Sequence, residues 1–152
     1  MASSANYSFR VPSQPPHDTV TRIAAVASPS AATAAYLAAL AAQGGIGLVL
    51  HAAGGLGGAS ADLWDEKISV LQPAAALVPW MSAPGEAEAV DSFSLYRARM
   101  QLPRGAGANS PLFYSFDYQH VHVAVLASEL SMAADAPMTR CVLLAVRRCL
   151  GV

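Results

Sequence analysis

The chain has 152 residues, 54% of them apolar and 12% charged, with a mean hydropathy of +0.37 and a net charge of −1. That length suits one domain, which buries roughly 70% of the surface its unfolded chain exposes. Low charge with high apolar content excludes a disordered chain, and nine basic residues offset by ten acidic ones exclude the basic field of a general nucleic-acid binder.

Residues 1–19 form an extended segment carrying Pro12, Pro15 and Pro16, and the polar Met1–Arg10 run lacks the apolar stretch of a signal peptide. Arg22–Val26 is a short apolar run that reads as a buried strand. Ser28-Pro29-Ser30 supplies capping hydroxyls and an N1-type proline for a helix running to about Gln43, where Gly44-Gly45 is a stop signal. Ile46–His51 is a second buried-strand candidate. A connection of about 20 residues between two strands is what a right-handed parallel crossover needs.

A loose glycine stretch, Gly54–Gly58, follows. Asp62 caps a helix through about Leu71 that Pro73 halts, and Ala76–Ser82 is a third strand, marked by Pro79 as an edge or irregular one. Asp91–Met100 reads as a short helix and Leu102–Ser110 as a loop. Leu112–Tyr118 and Val121–Ser128 read as paired strands. Thr139–Leu150 reads as a helix whose terminal Arg147 and Arg148 suit its dipole. The pattern is α/β: an extended segment at 1–19, a domain at 20–129 and an apolar helical tail at 130–152. Ala31–Ala42 is too short for the roughly 20 residues of a membrane span, so none is expected. Thirty-two alanines raise the hydropathy without adding bulky core.

Few side chains stand out chemically. His120-Val-His122 puts two imidazoles on one strand face, a spacing that can serve a metal, but a hydrogen-bonded strand histidine is the plainer reading. Glu86 and Glu88 with Asp62 and Asp65 are read as solvated loop charges and helix caps rather than an acid/base pair. Arg97, Arg99 and Arg104 make the basic cluster, read as an exposed helix face. Gly54–Gly58 lacks the Lys-Ser/Thr of a phosphate-binding loop. Cys141 and Cys149, eight apart, are about 12 Å apart along a helix and read as buried small hydrophobes.

Four blocks carry a family resemblance. They are Tyr7-Ser-Phe-Arg10 with Thr21-Arg-Ile-Ala24; Leu50-His-Ala52 with Leu63-Trp-Asp-Glu66 and Leu71-Gln-Pro-Ala74; Val78-Pro-Trp-Met81 with Ala83-Pro-Gly85; and Phe113-Tyr-Ser-Phe-Asp-Tyr118 with Val121-His-Val123 and Leu126-Ala-Ser-Glu129. Their order and spacing resemble the purple acid phosphatases, a branch of the calcineurin-like metallophosphoesterases, over roughly residues 7–129. The resemblance implies an α/β sandwich of two mixed sheets flanked by helices, of which this chain covers about the first half. It makes residues 1–19 the remnant of a junction with a fibronectin-like domain. It also implies phosphomonoester hydrolysis at a binuclear centre of iron with zinc, manganese or iron.

The residues that the family uses for that centre are replaced here. Gly55 stands where the family has a ligand Asp, and Gly58 where it has a Tyr. Glu86 stands where it has an Asn ligand, and Ala87 where it has a phosphate-contacting His. No Gly-Asp-x-Gly loop follows the first strand, and the resemblance ends after Glu129, ahead of the family's further histidines. Glycine has no donor atom, and of these positions only Glu86 can coordinate. The expectation is therefore a truncated, degenerate member without a cofactor or phosphatase activity. It would act in structure or interaction, with self-association or a protein partner covering its open sheet. Two readings compete: an active phosphatase holding metal through ligands such as Glu86, His51 and His122 or through a partner, and a decayed gene product. Relatives are mostly secreted or vacuolar; the residues here assign no compartment.

Overall fold

The computed structural model describes residues 20–52, 54–103 and 110–150, with the side chains of 148–150 excepted. Strands β1 (Ile23–Ala27) and β2 (Leu48–Ala52) pair in parallel from Ile23 opposite Leu48 to Ala27 opposite Ala52. They are joined by helix α1 (Ala31–Ala42), alanine at eight of its 12 positions and so of high helix propensity. Ser30 caps α1, its hydroxyl accepting the Thr33 N–H at 3.2 Å. At the other end Gly44 takes φ +72°, and the Gly45 and Gly44 N–H groups close on the Leu40 and Ala41 carbonyls, a Schellman ending.

Helix α2 (Ala61–Ala75) returns the chain to β3 (Trp80–Ser82), which pairs in parallel with the other side of β2. Leu37, Val49, Ala74 and Val78 make a buried cluster with Ala24, Val26 and Trp80 against it, so α1 and α2 cover one sheet face. Strand alternation points Leu48 to the opposite face, and it too is fully buried.

Three expectations for this region are corrected. Ser60, not Asp62, caps α2, accepting the Leu63 N–H, while Asp62 sits in the first turn. Pro73 does not halt the helix but sits in its last turn, with Leu71 and Ala74 buried on either side and the Ala76 N–H reaching the Gln72 carbonyl. The residues expected to open the third strand, Ala76–Pro79, are consumed by that helix ending, so β3 is three residues long.

The expected Asp91–Met100 helix is present but starts three residues later and ends one residue earlier. Helix α3 (Glu86–Ala89) and helix α4 (Ser94–Arg99) are separated by Ser92 and Phe93 at φ +57° and +62°. Asp91 lies ahead of α4, accepting the Ser94 and Leu95 N–H groups and the Ser94 hydroxyl. These bonds, that of Leu95 foremost, hold its carboxyl below the usual range.

Strands β4 (Tyr114–Tyr118) and β5 (Val121–Val125) form an antiparallel hairpin whose tight turn is Gln119-His120, Gln119 at φ +54°. The Tyr114 hydroxyl donates to the Ser82 carbonyl at the far end of β3, and the Tyr118 hydroxyl to the Gly47 carbonyl just before β2. Strand β4 therefore runs antiparallel to β2 and is tied to the parallel sheet at both ends. Helix α5 (Pro137–Leu150) packs on the hairpin. Its Met138 and Cys141 join Leu56, Trp64, Leu71, Phe93, Tyr96, Leu112 and Phe113 in a second core cluster. The fold is α/β, with parallel and antiparallel pairing flanked by helices, compatible with part of a metallophosphoesterase-like fold. No helix among the described residues is long and apolar enough to cross a membrane. The segment 1–19, Arg104 and the side chain of Cys149 lie outside the described residues.

Candidate functional site

In an open parallel sheet, chemistry collects where the strands end and the loops begin. Here three loops meet at that edge: Ser28 after β1, Gly54–Ser60 after β2 and Ala83–Gly85 with α3 after β3. Gly55, at φ +82°, lies against Ser28, whose Oγ is 2.8 Å from where a Gly55 Cβ would stand. Ser28 itself is at φ +45°, an uncommon backbone state for a residue with a side chain. Gly58, at φ +55°, lies against α3, with the Ala87 carbonyl 3.2 Å from the corresponding Cβ position.

Glu88 joins these loops. It is fully buried, and its carboxylate accepts the Leu56 N–H at 2.9 Å and the Gly85 N–H at 3.0 Å. The expectation of a solvated loop charge is overturned for Glu88: one carboxylate satisfies two buried backbone donors that no water reaches. Glu86 and Ala87 face outward and are exposed.

Beneath the loops is a second polar group. His51 on β2 is buried, with Nδ1 3.1 Å from the Ser82 Oγ, its ring edge-on to Trp80 and Nε2 without a hydrogen-bond partner. Burial lowers its pKa below 6.5, and the Glu88 carboxylate and Gly54 backbone pull less strongly the other way. The Ser82 carbonyl accepts from Tyr96 at 2.7 Å and from Tyr114 at 2.8 Å. Burial pushes both phenols far above their ordinary pKa, so they act as neutral donors. Neither tyrosine was legible as a site residue; Tyr114 could have been suspected from its alternation with Tyr118.

The structure does not bring the competing metal ligands together. His122 lies in the hairpin, where Nδ1 meets Asp117 on the neighbouring strand at 2.5 Å, and His120 sits in the turn rather than on the same strand face. Among the described residues no three His, Cys, Asp or Glu side chains are placed to hold a metal ion. Of the arginine cluster, Arg99 ties α4 to α2 through Asp65 at 2.7 Å and the Ala61 carbonyl at 3.4 Å, and Arg97 is exposed. Cys141 is buried as expected, and burial pushes its thiol pKa up.

Sequence comparison finds relatives over part of this chain. Purple acid phosphatase 18 of Arabidopsis thaliana is 36% identical over 72 residues, 43% of this chain. Acid phosphatase type 7 of Homo sapiens is 34% identical over 71 residues, 47% of this chain. The protein of the same name from Danio rerio is 36% identical over 66 residues. Part of this chain is purple acid phosphatase-like. It spans 14–16% of the length of these relatives. No family model matches, and no solved structure matches significantly.

The donors present do not fit the two-metal centre that a purple acid phosphatase-like relationship implies. Gly55 and Gly58 offer no side-chain atom, both Glu88 oxygens are engaged by backbone N–H groups, and His51 presents one buried nitrogen. Glu86 is an exposed carboxylate on a four-residue helix. Two hard cations need several anionic or imidazole ligands converging on one point.

Proposed function

We propose that this chain is a purple acid phosphatase-like domain in which the strand-end loops of the phosphatase scaffold persist without metal ligands, and that it serves as a non-catalytic interaction domain. One observation carries the reading. The Gly54–Ser60 loop is drawn against Ser28 on one side and Glu88 on the other, and it carries glycine at Gly55 and Gly58, where the family resemblance puts ligands. The Ser28 hydroxyl and the Ala87 carbonyl lie where, on the resemblance, an Asp and a Tyr side chain would stand. Without cations nothing lowers the pKa of water to make hydroxide near neutral pH, and nothing offsets the charge that develops on phosphorus.

Metal content and aryl-phosphate hydrolysis of the purified chain test this, after incubation with iron, zinc and manganese. The expected result is substoichiometric metal and no metal-dependent turnover. Paired, tightly held metal with turnover that a chelator abolishes overturns the reading.

A further inference from the structure

Helix α5 is apolar on two faces. Met138, Cys141 and Ala145 point inward and are buried. Arg140, Leu143, Leu144 and Arg147 recur at i, i+3, i+4 and i+7, so they form one outward stripe. Leu143 is 54% exposed and Leu144 46%, with Val146 beside them at 49%. No acidic residue occurs in the α5 sequence, and neither arginine has an ion-pair partner among the described residues. This paired-leucine ridge between two arginines has no counterpart among the described residues.

The complementary surface lies on α2. Asp62 and Glu66, one turn apart, are exposed, and Leu63 between them is 49% exposed. The neighbouring Asp65 is held by Arg99, whereas Asp62 and Glu66 have no ion-pair partner among the described residues. This face carries two unpaired carboxylates and one exposed leucine with Lys67 beside it, so its net charge is opposite to that of the α5 stripe and its apolar area is smaller. Two α5 stripes facing each other would oppose arginines, so charge argues against a symmetric α5 pair. We infer that the α5 stripe docks on the α2 face of a second copy of this chain, a head-to-tail contact that leaves a free α5 and a free α2 at the ends of each assembly. The inference rests on the reading of a non-catalytic interaction domain and names its partner.

Sedimentation velocity across a concentration series, at low and high salt, tests it. The wild-type chain is expected to associate with concentration and less so in high salt, as exposed charge pairs are screened. R140E/R147E alone and D62K/E66K alone are each expected to associate roughly tenfold more weakly or worse. An equimolar mixture of the two restores association, because each variant then offers what the other lacks. Circular dichroism verifies that these surface variants fold. A monomeric wild-type chain, or association unchanged by both charge reversals, overturns the inference. A monomeric chain that instead pellets with phosphatidylserine vesicles also overturns it and assigns the stripe to a lipid surface. Metal-dependent turnover measured on the same samples would defeat the non-catalytic reading without touching the association result, so the two failures are separable.

Discussion

Glu88 carries more of the loop architecture than any neighbouring side chain, because its two oxygens answer N–H groups from two loops. Glu88→Ala leaves both donors buried and unpaired, and we expect a loss of about 3 kcal/mol in urea denaturation, with Glu88→Gln in between since its amide keeps one acceptor oxygen. His51 gives the residue scale its pH dependence. Its folded pKa lies below 6.5, so between the two values the unfolded chain binds more protons than the folded one. The stability that neutral His51 preserves is complete above about pH 6.5 and is lost as pH falls through the folded pKa. Urea midpoints measured against pH should therefore show an acid-side decline that is flattened in His51→Asn. The sequence showed Glu88 only as an acid in Gly85-Glu-Ala-Glu88. That it is buried depends on Leu56, 32 positions away, and no local pattern encodes that approach.

At the scale of elements, the Ser30 cap and the Gly44-Gly45 stop placed α1, and partial polar–apolar alternation placed the hairpin, close to where they stand, because those signals act within a few residues. They made β3 and α4 too long, both starting later than the local pattern suggests. Pro73 lies in the last turn of α2 beside the buried Leu71 and Ala74, and the Asp91–Phe93 corner breaks a helical pattern through two left-handed residues. The β2 loop yields a prediction of its own. Gly55→Asp puts a ligand-type carboxylate back, yet it forces a side chain into a left-handed backbone against the Ser28 hydroxyl. We expect the variant to melt earlier, by a stability loss of ~1–2 kcal/mol, and to bind no metal. Calorimetry and metal content of that variant check both halves.

Across the whole molecule, the hairpin and the parallel sheet are joined by tyrosine hydroxyls at opposite ends of β4. Tyr114→Phe should cost ~1 kcal/mol in urea denaturation, held to that by Tyr96, which still satisfies the Ser82 carbonyl. Trp64→Ala, at the centre of the second core, should cost about 3–5 kcal/mol by the same measurement. The sequence by itself determined the α/β class, the parallel start and the hairpin. It also determined that Gly55 and Gly58 offer no side-chain ligand atom, since the residue types alone suffice for this. Only the tertiary structure decided that the loops close on Glu88 and Ser28, that His51 is buried while His122 stands apart in the hairpin, and that α5 turns a second apolar face outward. Each of these depends on groups far apart in sequence meeting under exclusion of water, and which groups meet is set by the packing of the sheet and helices rather than by any neighbouring residue.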